Sequence, residues 1–182
     1  MKLLNPLLLV ALYVQAAAIG AETPRADELL AKAQATARTE HKAVFVYFVA
    51  SWCGWCQRLD SFLERDDVKR VWAKHFVPLR LVVHESNEKQ ALENSGASAL
   101  LKRFGGPPEL PYMVFLDPEG TVLADSRRPS SAGGGSRENI GFPVQPVEVE
   151  WFLGMLKGAA PQMAESDLKT VETVLRNQKP DL

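Results

Sequence analysis

Residues 44–56 read VFVYFVASWCGWC. Together with Ala43, the first part is an unbroken run of Ala, Val, Phe and Tyr with no charged residue. A run this short and this rich in β-branched and aromatic side chains predicts a strand covered on both faces, and so a central one. Directly after it comes Ser51-Trp52-Cys53-Gly54-Trp55-Cys56. Leu59, Phe62 and Leu63 then recur at helical spacing, with Val68, Val71 and Trp72 on a second helical stretch. The two cysteines therefore fall at a strand-to-helix junction.

Upstream, Thr23-Pro24 looks like an N-cap followed by a first-turn proline. Leu29, Leu30, Ala33 and Ala37 extend the pattern into a helix over 24–40. Downstream, 77–83 alternates as a second strand, and 85–98 is polar and predicts a loop with helical pieces. Residues 99–104 resume a helix that stops at Gly105-Gly106-Pro107-Pro108. Pro111 precedes a strand over 112–116, and Asp117-Pro118-Glu119-Gly120 is a turn into 121–124, giving a hairpin. The Gly/Ser-rich stretch 127–141 predicts a mobile loop, 147–157 a helix and 165–176 an amphipathic terminal helix. Strands interleaved with helices predict an α/β three-layer sandwich: a central mixed sheet with helices on both faces, and extra helices at each end. The division expected is a domain over 22–160 with a helical tail over 161–182.

The chain has 182 residues, 46% of them hydrophobic, enough for one domain with its own core. Lys and Arg total 21 against 22 Asp and Glu, and neither sign forms a block, which argues against a nucleic-acid partner. At the N-terminus, Lys2 precedes an apolar run at 7–14 and small residues at 16–21, the pattern of a cleavable signal peptide over 1–21. An uncleaved anchor is the rival, but Asn5, Pro6 and Gln15 interrupt the apolar stretch. A periplasmic or secreted monomer is expected. The C-terminal Lys-Pro-Asp-Leu departs from the retrieval signal of the endoplasmic reticulum.

Only two cysteines are present, three positions apart. In the chain-entropy account so short a loop stabilises by about 2 kcal/mol, against about 4.7 for a 100-residue loop, so the pair is a poor staple. A zinc site would need two further ligands, and His41, His75 and His84 show no paired spacing. No metal or cofactor is expected. A thiolate at the first turn of a helix is favoured by free N–H groups and by the helix dipole. Cys-x-x-Cys pairs placed so titrate at about 3.5–7.5 rather than 8.5. Cys53 is thus the expected nucleophile and Cys56, one turn along, the resolving thiol. Trp52 and Trp55 either pack on the domain or form an apolar landing surface beside the sulfur. Trp72 and Trp151 are expected in the core.

The VFVYFVASWCGWC stretch resembles the strand and active-site loop of the thioredoxin superfamily. Pro111, in LPYMVFLDPEG, resembles that family's cis-proline before its third core strand. The likeness spans 26–158 and implies a thiol–disulfide oxidoreductase acting on protein thiols or disulfides, with an unidentified redox partner. It further implies a cis Leu110-Pro111 bond facing Cys53, with Leu110 and Pro111 binding substrate backbone beside Trp52 and Trp55. The Trp-Cys-Gly-Trp-Cys spelling, the long segment before Pro111 and Asn139-Ile140-Gly141-Phe142-Pro143 resemble exported bacterial members. One departure stands out: where relatives carry a buried acid six positions before the first cysteine, this chain has Tyr47. No cation lies between the cysteines, which points to a reducing or intermediate pair rather than a strong oxidant. The alternative is a binding or chaperone module without redox turnover.

Overall fold

The computed structural model describes residues 23–130 and 135–178. The segment read as a signal peptide lies outside them. Four strands form the main sheet: β1 (Ala43–Val49), β2 (Phe76–Val82), β3 (Tyr112–Leu116) and β4 (Val122–Asp125), in the order β2-β1-β3-β4. β1 runs parallel to β2, from Ala43↔Phe76 to Val49↔Val82, and antiparallel to β3, so the sheet is mixed. All seven residues of β1 are buried, as an interior strand requires.

Alternation along β1 divides the core. Phe45, Tyr47 and Val49 face one apolar layer; Val44, Val46 and Phe48 face the other. The second layer is closed by α1 (Ala26–Glu40) and α4 (Ala97–Arg103) through Leu30, Ala33, Ala37, Leu100 and Leu101. The first is closed by α2 (Gly54–Leu63), α3 (Asp66–His75), α5 (Pro146–Ala159) and α6 (Glu165–Arg176). At its centre Phe45 stacks on Phe115 at 4.8 Å and on Tyr47 at 5.2 Å, and meets Trp72 edge-on at 5.6 Å. Helices thus cover both faces of a mixed sheet, the three-layer sandwich expected.

Helix α6 lays Leu168, Val171, Val174 and Leu175 against the rest of this layer. Asp167 on α6 accepts from Lys74 Nζ at 2.8 Å and pairs with His75 Nε2 at 2.9 Å, both on α3. Those hydrogen bonds hold the Asp167 carboxyl below the usual carboxylate range.

Three local readings need correction. α1 begins at Ala26 with Arg25 at the cap and no side-chain cap bond, and Thr23 Oγ1 instead donates to Ala91 O at 2.8 Å. The long-range bond wins over the local one. The stretch 127–141 is not all loop: β5 (Arg127–Pro129) pairs antiparallel with β6 (Arg137–Asn139) as a second, two-stranded sheet. Its anchor is Asp125, buried, which takes both Arg127 and Arg137 guanidinium groups. Trp151 is only half-buried, its Nε1 donating to Asp125 O at 3.1 Å, whereas Trp72 lies in the core.

Candidate functional site

At the end of β1 the chain turns out of the sheet through Ala50-Ser51-Trp52 and enters α2 at Cys53. Cys53 is the cap residue of that helix, and its Sγ accepts from the Cys56 N–H at 3.1 Å. One turn of helix brings Cys56 back beneath Cys53, and the two are joined in a disulfide with Cα atoms 5.2 Å apart. The sulfur of Cys53 thus occupies the place where a negative charge meets the free N–H groups of the first turn. Both cysteines are buried, Cys53 5% exposed and Cys56 1%.

The loop carrying Cys53 is gripped from β2. Glu85, just past that strand, accepts from Ser51 N at 2.6 Å and from Ser51 Oγ at 2.7 Å, while Gln57 Nε2 donates to Ser51 O at 3.1 Å. Trp52 Nε1 donates to His84 O at 2.7 Å, which fixes the indole edge while the ring remains 59% exposed. Trp55 is 44% exposed, with the Arg58 guanidinium 5.3 Å from its ring. Two exposed indoles therefore flank a nearly buried sulfur.

Opposite Cys53 lies the segment before β3. The Leu110-Pro111 bond is cis, and Leu110 O sits 3.6 Å from Cys53 Sγ. Asn139, at the end of β6, donates from Nδ2 to Glu109 O and to Pro111 O, both at 3.0 Å. Its Oδ1 accepts from Ser126 Oγ at 2.7 Å, and Ser126 Oγ accepts from Met113 N at 3.0 Å. All six expected residues, Trp52, Cys53, Trp55, Cys56, Leu110 and Pro111, gather at this end of the sheet. Glu85, Ser126 and Asn139 join them unforeseen. Nothing local marks these three, because each acts on a partner 13 to 34 positions away.

Tyr47 lies in the same apolar layer as Cys56. Burial, with the nearby Asp60 carboxylate, pushes its phenol up to about 12. It stays protonated across the physiological range and offers no base. Among the described residues no group of His, Cys, Asp and Glu could hold a metal ion, and no helix is long and apolar enough to cross a membrane.

A family profile described as thioredoxin-like matches residues 26–118. Among solved structures, the chain is similar to a disulphide isomerase from Xylella fastidiosa Temecula1, 26% identical over 65% of this chain and 80% of that one, with a TM-score of 0.46. It is similar to a DsbH oxidoreductase, 21% identical over 84% and 95%, TM-score 0.47. It is also similar to a thioredoxin from Thermus thermophilus, 24% identical over 75% and 84%, TM-score 0.41. No curated protein sequence matches.

Proposed function

Because the chain belongs to the thioredoxin-like family, we propose that it is a thiol–disulfide oxidoreductase that reduces or exchanges disulfides in exported proteins through Cys53 and Cys56. The observation that carries this reading is the Cys53 sulfur capping α2 while bonded to Cys56, with the Leu110 carbonyl beside it.

In the reduced protein the Cys53 thiolate attacks one sulfur of a substrate disulfide. A Cys53–substrate bond forms, the substrate S–S bond breaks, and one substrate thiolate leaves. Cys56 then loses its proton to water or a neighbouring base and attacks Cys53 Sγ. The intramolecular disulfide forms and the second substrate thiol departs, two electrons having passed from protein to substrate. A dithiol donor restores the pair, and the reverse sequence oxidises a dithiol. Trp52 and Trp55 supply apolar contact around the sulfur, and the Leu110-Pro111 segment faces the incoming chain. The export pattern over 1–21 supports a periplasmic or secreted site of action, with 22–160 as the working domain and 161–182 as its helical extension.

Insulin reduced by dithiothreitol tests the reading: the protein should speed precipitation of the B chain, and the Cys53→Ser protein should not. Equal rates with and without protein would leave only the binding-module alternative.

Tyr47 supports a narrower expectation. A phenol held near 12 moves no proton at neutral pH, so the proton of Cys56 leaves by a route other than Tyr47, through water or another group. Tyr47→Phe should keep single-turnover resolution of a mixed disulfide within about twofold of the parent from pH 6 to 8. A tenfold loss, or a displaced pH profile, would give Tyr47 a part in proton transfer.

A further inference from the structure

We infer that Asn139 is a positioning residue for substrate: it holds the Leu110 main chain in the register that an extended disulfide-bearing segment pairs with. This deepens the function proposed above and rests on it.

The side chain of Asn139 bridges two carbonyls that bracket Leu110, those of Glu109 and Pro111. Both of its amide hydrogens are committed, one to each. Its oxygen is committed as well, to the hydroxyl of Ser126, which is fully buried and takes the Met113 N–H of β3. Only one orientation of the amide satisfies all three partners, because its reversal would set Oδ1 against two carbonyl oxygens. The bridge is therefore directional and has a single setting.

What it holds is the stretch nearest the reactive sulfur. Leu110 O lies 3.6 Å from Cys53 Sγ, and the Leu110 N–H has no hydrogen-bond partner among the described residues. A free N–H and a carbonyl met only by the Cys53 sulfur, on one half-buried residue, are what an added strand requires. The clamp leaves these two groups open while tying down the carbonyls on either side. Asn139 is itself fixed from behind. Ile140 N donates to Ser126 O at 2.9 Å, and the chain leaves through Gly141, whose positive φ of 59° suits glycine. An added Cβ there would lie 3.9 Å from the Pro111 ring. The β5–β6 ribbon, pinned by Asp125 to Arg127 and Arg137, thus forms the rear support of the substrate-facing segment.

A residue that positions substrate changes the reaction with a peptide and not the reactivity of the sulfur. The test compares two second-order rates of the reduced protein: with an extended peptide disulfide, and with iodoacetamide, which needs no main-chain pairing. Asn139→Ala should slow the peptide reaction about tenfold, expressed in KM rather than kcat, with alkylation of Cys53 within about twofold. Asn139→Asp, which places a carboxylate oxygen against the two carbonyls, should slow it further. Ser126→Ala releases Oδ1 from the other side and gives an independent variant should the first fold poorly. Peptide rates within twofold of the parent in these variants, or equal losses in both reactions, would overturn the inference. Failure of the parent protein itself to react with the peptide would instead overturn the oxidoreductase reading, and this inference with it.

Discussion

Reduced Cys56→Ser protein, offered a disulfide substrate, should stop at a one-to-one mixed disulfide on Cys53. Cys53, the residue assigned the attack, sits at the helix cap, and Cys56, which would release the product, lies one turn away and is buried. Removing the second leaves only solution thiols to resolve the adduct. Because an intramolecular thiol acts at a very high effective concentration, the lifetime of the adduct should rise by about a thousandfold or more. Cys53→Ser should form no adduct. Intact-mass spectrometry under non-reducing conditions, followed by mapping of the joined peptide, reads both outcomes. An adduct on Cys56, or equally fast release from the Cys56→Ser protein, would reverse the assigned roles.

The second large effect concerns stability. Phe45 is fully buried on the central strand and touches Tyr47, Phe115 and Trp72, so it joins the sheet to the helical layer that carries the cysteines. Phe45→Ala should cost about 3–5 kcal/mol, the range for aromatic truncation where the walls cannot collapse. For a domain of this size each kcal/mol corresponds to about 2–4 °C in Tm, so the midpoint should fall by roughly 6–20 °C. Urea unfolding with an unchanged slope would assign the loss to the native core. A cost below about 1 kcal/mol would mean that the layer closes around the gap and that Phe45 is not its centre.

The sequence was most legible where chemistry is local. An uninterrupted apolar run made β1 interior, and its alternation then divided the two layers without further information. The position of Cys53 at a helix start followed from the change of period at Ser51-Trp52. Legibility failed where one residue answers to a distant one. Thr23 reads as a helix cap because its neighbours allow it, yet its hydroxyl is taken by Ala91 O. The stretch 127–141 reads as a loop on its glycines and serines, but the charges at its two ends converge on Asp125 and make a ribbon. Asn139 could be quoted as part of a family-like stretch, but not given a task, since its partners lie 28 and 30 positions earlier. Glu85 opens a polar segment with no periodicity, so its grip on Ser51 is visible only in three dimensions.

That grip bears on how much the molecule must move to work. Ser51 is tied at its N–H and hydroxyl to Glu85 and at its carbonyl to Gln57, and Trp52 is moored to His84. None of these tethers involves sulfur. The bond between Cys53 and Cys56 is therefore one restraint on the turn among several. The turn is thus held by tethers that the chemistry of the cysteine pair neither makes nor breaks.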